Sequence, residues 1–297
     1  MKMKTKSTLL VSMLGSLALA ACGGGGGGDN STPTAQSASA PATASAPATA
    51  SAPAAASAPA PALTGEPLPS LSAPQTGSTA LAGNGSEGMW TQSGTSNMTA
   101  FVDPVGNLSY VSGLFTVVTS TFFGTISTAL PNWALTTGFE TFGGIRFTAT
   151  AGTGTYTANQ TLTGSYLANG STVNLTLKYD PANALAVTQS SVAGTWAQTS
   201  TTLTVDNAGG VTGAILGCGV AGTLALTTPG SNKNLYTLTL SGTTSTCSLR
   251  SGVTYSGSAA IKFLPVSGST TLYQRTIVYL IKAADNSEIA YGQLSKQ

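Results

Sequence analysis

Histidine is absent from this 297-residue chain. A Ser-His-Asp triad, a Cys-His pair, a His-ligated zinc site and a histidine general base are therefore excluded. Charge is nearly as scarce: 11 Lys+Arg and 9 Asp+Glu make up 7% of the residues, where a soluble domain ordinarily carries about 25%. The surface must instead be built from Thr, Ser, Asn, Gln and Gly, so electrostatics steers it weakly and salt changes it little. No stretch past Gly85 carries a helical period. There is no G-x-S-x-G elbow, no S-x-x-K and no phosphate-cradling G-x-x-x-x-G-K.

The N-terminus carries the strongest motif. Lys2, Lys4 and Lys6 form a positive patch ahead of an apolar run from Leu9 to Ala21. That run is too short to span a bilayer and has the length of a signal-peptide core. Leu19-Ala20-Ala21-Cys22 resembles the lipobox of a bacterial lipoprotein. The resemblance implies that Cys22 is acylated and becomes the new N-terminus. Gly23 rather than aspartate then follows the acylated cysteine, which implies the outer membrane, and three acyl chains would hold permanently. Processing would remove three of the eleven basic residues and leave 8 against nine acidic ones. The net positive charge of the whole chain is then no argument for a nucleic-acid partner.

With Cys22 taken by lipid, Cys218 and Cys247 remain, with 28 residues between them. In an exported chain this pair suggests one disulfide, worth about 3–4 kcal/mol for a loop of that size. The alternative is two free thiols. No C-x-x-C spacing and no histidine accompany them, so no metal or other cofactor is expected.

Gly23 to Gly28 is a six-glycine swivel, followed by repeats such as Ser45-Ala46-Pro47-Ala48-Thr49-Ala50. The recurring proline blocks helix and favours an extended spacer. Organisation is therefore read as signal peptide 1–21, lipidated cysteine and disordered linker 22–84, first β-repeat 85–188 and second β-repeat 189–297. Past Gly85, runs such as Thr201–Val205 and Leu235–Leu240 alternate apolar residues with Thr, as half-buried antiparallel strands do. Turn clusters at Asp103–Asn107, Asp206–Gly210 and Ala284–Ser287 separate them.

The two repeats align in order. Gly88-Met89-Trp90 matches Gly194-Thr195-Trp196, the Asp103 turn matches the Asp206 turn, and Gly124-Thr125-Ile126 matches Gly222-Thr223-Leu224. Leu175–Lys178 is matched to Tyr279–Lys282, and Leu185-Ala186 to Ile289-Ala290. The fold class expected is all-β: two tandem antiparallel up-and-down barrels of eight strands each, with a β-sandwich as the alternative. Gly-x-Trp on a first strand, then a hairpin, is similar to the start of the calycin barrels, which include lipocalins and avidins. The resemblance implies that Trp90 and Trp196 close one end of each core. The second copy lacks the further tryptophans of an avidin biotin pocket, so biotin binding is not carried over. Its last strand also lacks the arginine that lipocalins commonly set on that tryptophan. Repeated-barrel surface lipoproteins of proteobacteria are an equally good resemblance.

Chemistry-bearing side chains are few. Asp103, Asp180, Asp206 and Asp285 sit at turns, where aspartate ordinarily bonds the backbone. Glu140 is the one carboxylate set among aromatics and glycines, either a functional acid or part of an exposed loop between strands. Trp133 is either a platform for a sugar or apolar ligand, or a strand residue facing the core. Arg146 and Arg275 fall within strands, paired inward or exposed. The expected function is non-catalytic: a structural or adhesive outer-membrane lipoprotein that contacts envelope or host surface components. The alternative is a barrel interior that holds a small neutral or apolar ligand.

Overall fold

The computed structural model describes residues 63–93, 97–114, 117–245 and 247–297. The segment expected to be a signal peptide, Cys22, the glycine run and the Ala/Pro repeats lie outside the described residues. Among the described residues, no helix is long and apolar enough to cross a membrane.

The first body comprises β1 (Gly88–Gln92), β2 (Asn97–Val102), β3 (Asn107–Leu114), β4 (Val117–Ala129), β5 (Asn132–Phe142), β6 (Ile145–Thr148), β7 (Thr150–Thr157), β8 (Thr161–Ala168) and β9 (Ser171–Tyr179). β1 to β5 pair antiparallel in sequence, β5 pairs β7, β7 to β9 pair in sequence, and β1 returns to β9 through Trp90 opposite Tyr179. Eight strands thus close, while β6 adds to the end of β5 alone. Two single-turn 3-10 helices, Pro181–Ala184 and Gln189–Val192, lead onward.

The second body comprises β10 (Gly194–Gln198), β11 (Thr201–Val205), β12 (Gly210–Ile215), β13 (Cys218–Leu226), β14 (Tyr236–Gly242), β15 (Thr254–Pro265), β16 (Tyr273–Ala283) and β17 (Ile289–Lys296). It closes through Trp196 opposite Lys296. Both bodies are therefore closed eight-stranded antiparallel barrels rather than sandwiches. The alternation read from Thr201–Val205 appears directly: Thr201, Leu203 and Val205 are buried, while Thr202 and Thr204 are exposed. Closure pairs the backbone groups that an open sheet would leave at its edges.

The opening strands of the two barrels repeat down to single hydrogen bonds. The Trp90 indole N–H donates to Ser86 O and that of Trp196 to Val192 O, each at 2.8 Å. Asp103 Oδ1 accepts from the N–H of Val105 and Asn107, and Asp206 Oδ1 from Ala208 and Gly210. Ile126 N–H donates to Gly106 O, and Leu224 N–H to Gly209 O. The matches proposed for the closing strands are corrected. Leu175–Lys178 lies on β9, the last strand of its barrel, whereas Tyr279–Lys282 lies on β16, the last but one. Leu185-Ala186 follows the first 3-10 helix, while Ile289-Ala290 opens β17. The two segments share only an apolar stretch ending in lysine, alternating in β9 and continuous in β16, so a loop-length offset absorbed a slip of one strand.

The folded body also begins before Gly85. Glu66 pairs its backbone with Tyr273 and its carboxylate with the Arg275 guanidinium. Ala80 is fully buried, and Tyr179 Oη donates to its carbonyl at 3.0 Å. Residues 63–84 thus lie along the barrels instead of belonging to the linker. They have no periodic pattern to read, because their backbone groups are satisfied singly, some by backbone as at Tyr273 and Ala184 and others by side chains such as Asn232 and Lys233.

The barrels share one apolar cluster: Met89, Phe101 and Phe123 of the first pack into the core cluster of the second. The buried Asn234 side chain bonds Ala182 O on one side and the Ile261 backbone on the other. Asn183 does the same for both backbone groups of Met89.

Candidate functional site

A calyx would need space inside a barrel, and large side chains occupy both interiors. Trp90, Tyr110, Phe122 and Tyr166 of the first barrel are among its largest fully buried residues, as are Trp196, Tyr236, Tyr255 and Tyr279 of the second. Phe122 lies between two tyrosines, its ring centroid 5.2 Å from Tyr110 and 4.9 Å from Tyr166.

Trp133 belongs to this packing. It is 2% exposed on β5, and its indole N–H donates to Thr163 O at 2.9 Å. A Cβ on Gly164 would come within 2.6 Å of the indole, so that glycine leaves the room the ring needs. Trp133 is a core residue and presents no face to a ligand.

Glu140 is not on an exposed loop. It lies on β5 and is 7% exposed, inside the first barrel. Tyr110 Oη donates to Glu140 Oε1 at 3.4 Å, and Tyr110 and Tyr166 are hydrogen-bonded to each other. Burial pushes both phenols well above the ordinary tyrosine range, with Glu140 adding to the effect on each. The hydroxyls therefore stay protonated and serve the carboxylate as donors. The carboxylate's polar contacts here are structural, and a glycosidase pair would need a second acid across a substrate-sized gap. Among the described residues, no group of three or more His, Cys, Asp or Glu side chains is placed to hold a metal.

Cys218 and Cys247 sit at disulfide distance, with Cα atoms 5.5 Å apart. They tie the start of β13 to the segment between β14 and β15. Cys22, the third cysteine, lies outside the described residues.

Open space is found between the outer walls of the barrels. One cleft of about 730 Å³ has Lys262 and Asp180 among its lining residues, with Gln92, Gln198, Gln293 and Tyr291. Lys262 Nζ donates to Thr99 Oγ1 at 2.6 Å. Burial lowers the pKa of this ammonium, and the nearby Asp180 opposes that shift. Asp180 caps the first 3-10 helix by accepting from Ala182 N–H at 2.8 Å. Burial raises its pKa, while Ala182, Lys262 and Thr91 pull the other way. Its reading as a turn aspartate bonded to the backbone is correct, and its burial against a lysine is additional. A second cleft, of about 670 Å³, is lined by β3 to β5 on one side and by β14 to β16 on the other. Phe123, Phe139 and Lys282 line it.

Neither cleft was legible beforehand, because lone lysines on different strands carry no spacing signal. Of the two strand arginines left open, Arg275 is paired with Glu66. Arg146 lies over the Phe139 ring at 5.4 Å and donates to Asn286 O. No protein-family model, no curated protein and no solved structure matches the chain.

Proposed function

We propose that this is a non-catalytic, lipid-anchored outer-membrane protein that works as a structural or interaction module, with an envelope or host surface component as partner. The observation that carries the reading is the filling of both barrels by Trp, Tyr and Phe side chains. Filled barrels are rigid bodies whose recognition surfaces are their outer walls and loops. The same filling counts against the alternative, in which a barrel interior holds a small neutral or apolar ligand. The lipobox resemblance at Leu19–Cys22 supports the anchor, and nothing in the chain calls for a cofactor or nucleic acid.

Native mass spectrometry of the mature protein, extracted from membranes in detergent, tests both parts. The expected mass is that of a chain beginning at acylated Cys22 with no other molecule bound. An unmodified Cys22 would end the anchor, and a stoichiometric apolar small molecule would favour the calyx instead.

A further inference from the structure

We propose that the second inter-barrel cleft binds an oxyanion carried on a hydroxyl-rich body, an acidic saccharide, with Lys282 on its wall and Arg146 beside its lining residues Asn286 and Phe139 as anchors.

The argument starts from how this chain spends its few charges. Among the described residues, Lys233 is paired with Glu87 at 3.0 Å, Arg250 with Glu288 at 2.7 Å, and Arg275 with Glu66. Lys262 has Asp180 beside it. Lys178, exposed on β9, and Lys296, over the Trp196 ring at 5.6 Å, also lack a carboxylate partner among these residues, but only Lys282 has a second cation, Arg146, close enough to lower its pKa. Asn286 holds both: its carbonyl accepts from Arg146 Nη1 at 3.1 Å and its Oδ1 from Lys282 Nζ at 2.6 Å. Each cation also lies against a ring of the stacked pair Phe123 and Phe139, Lys282 at 5.6 Å and Arg146 at 5.4 Å. Among the described residues, no carboxylate forms an ion pair with either cation. Asp285 and Glu288, on the same turn as Asn286, are engaged by Arg250. Asp103 lines the cleft too, but its own turn uses its carboxylate, through Val105 N–H, Asn107 N–H and the Asn107 amide.

Two like charges held together by neutral groups are costly, and the cost shows on Lys282. Burial and the Arg146 charge both lower its pKa. An oxyanion between the two would relieve that repulsion and use donors that Asn286 leaves free. The remaining wall suits a sugar, with the hydroxyl residues Ser109, Thr137 and Ser258 among its lining.

This deepens the interaction role by naming a partner chemistry, and relies on it only in placing recognition on the outer walls. Isothermal titration of the detergent-solubilised full chain with trigalacturonate, and with a neutral galactose trisaccharide, tests it. The acidic sugar should bind and the neutral one should not. Affinity should fall at high salt, Lys282→Gln and Arg146→Gln should each weaken binding about tenfold, and Lys282→Arg should keep it. Circular dichroism of each variant checks that the barrels remain folded. Failure of trigalacturonate to bind, equal binding of the neutral sugar, or unchanged binding by the folded double variant would overturn the site. A bare native mass spectrum alongside such a failure would leave the general interaction reading standing.

Discussion

In the first barrel Trp90 reaches back four residues to Ser86 O, and in the second Trp196 reaches back four residues to Val192 O. Beyond the fourth strand the two diverge. The first barrel splits one wall into β6 and β7 and carries the Glu140–Tyr110–Tyr166 knot. The second keeps eight continuous strands and brings Cys218 to Cys247. One opening motif thus supports two ways of holding the later strands: a buried polar network in one barrel, a covalent tie in the other. A network specifies its geometry only while every member is satisfied. A crosslink acts mainly by constraining the unfolded chain.

Alkali should produce the largest effect and strike both barrels. Tyr110, Tyr166 and Tyr179 in the first barrel, and Tyr236 and Tyr279 in the second, are raised above the ordinary tyrosine value, burial being the first cause for each. The native state therefore keeps protons that the unfolded chain loses above about pH 10. Their stability contribution is whole below that pH and is lost as pH rises past it. Phenolate absorbance from these residues should appear together with loss of the β-sheet dichroism. Smooth ionisation with intact dichroism would contradict the buried placement.

Replacing both Cys218 and Cys247 with Ser should cost the second barrel about 3 kcal/mol, given a sequence separation of 29. Denaturant unfolding should then show the second barrel, followed by Trp196, opening earlier than in the wild type. An equal shift in the first barrel would mean that the two unfold as one.

Glu140→Ala should cost the first barrel about 2 kcal/mol, because two buried hydroxyls lose their common acceptor. Glu140→Gln, which keeps an acceptor, should cost less. If Glu140→Ala proved neutral by denaturant titration, the knot would be incidental to how the barrel holds.

Gly88→Ala and Gly194→Ala give the finest comparison. Both glycines precede the barrel tryptophan by two residues with positive φ, +137° and +119°. An added Cβ at Gly88 would meet the Tyr179 ring at 2.7 Å, whereas at Gly194 the nearest atom is the flexible Lys296 Cε at 3.3 Å. Each should lose about 1 kcal/mol to backbone strain, with a larger loss at Gly88. Equal losses would show that the ring yields freely.

Much of this architecture was legible in the residues. Period-two alternation, Gly-x-Trp and the Asp turns gave strand after strand, the duplication and the barrel class, because those signals are local. Register among the closing strands was not: Leu175–Lys178 alternates buried and exposed residues, whereas Tyr279–Ile281 is buried throughout, and a short apolar run ending in lysine does not say which strand of a barrel it is. Glu140 looked like a loop residue because the flanking Gly138, Gly143 and Gly144 are turn formers; Gly138 is instead a strand position opposite Gly124. The Lys282–Arg146 pairing joins strands 136 residues apart, and the contact that makes it exists only once the barrels pack together.

The most direct test asks whether the barrel interiors are open to a ligand. Trp90, Trp133 and Trp196 are the only tryptophans and all lie in the cores. Titration of the full chain with a brominated fatty acid, below its micelle concentration, should leave their fluorescence without saturable quenching. Quenching that saturates at one molecule per barrel would mean that a calyx opens, and would contradict a protein that works from its outer walls.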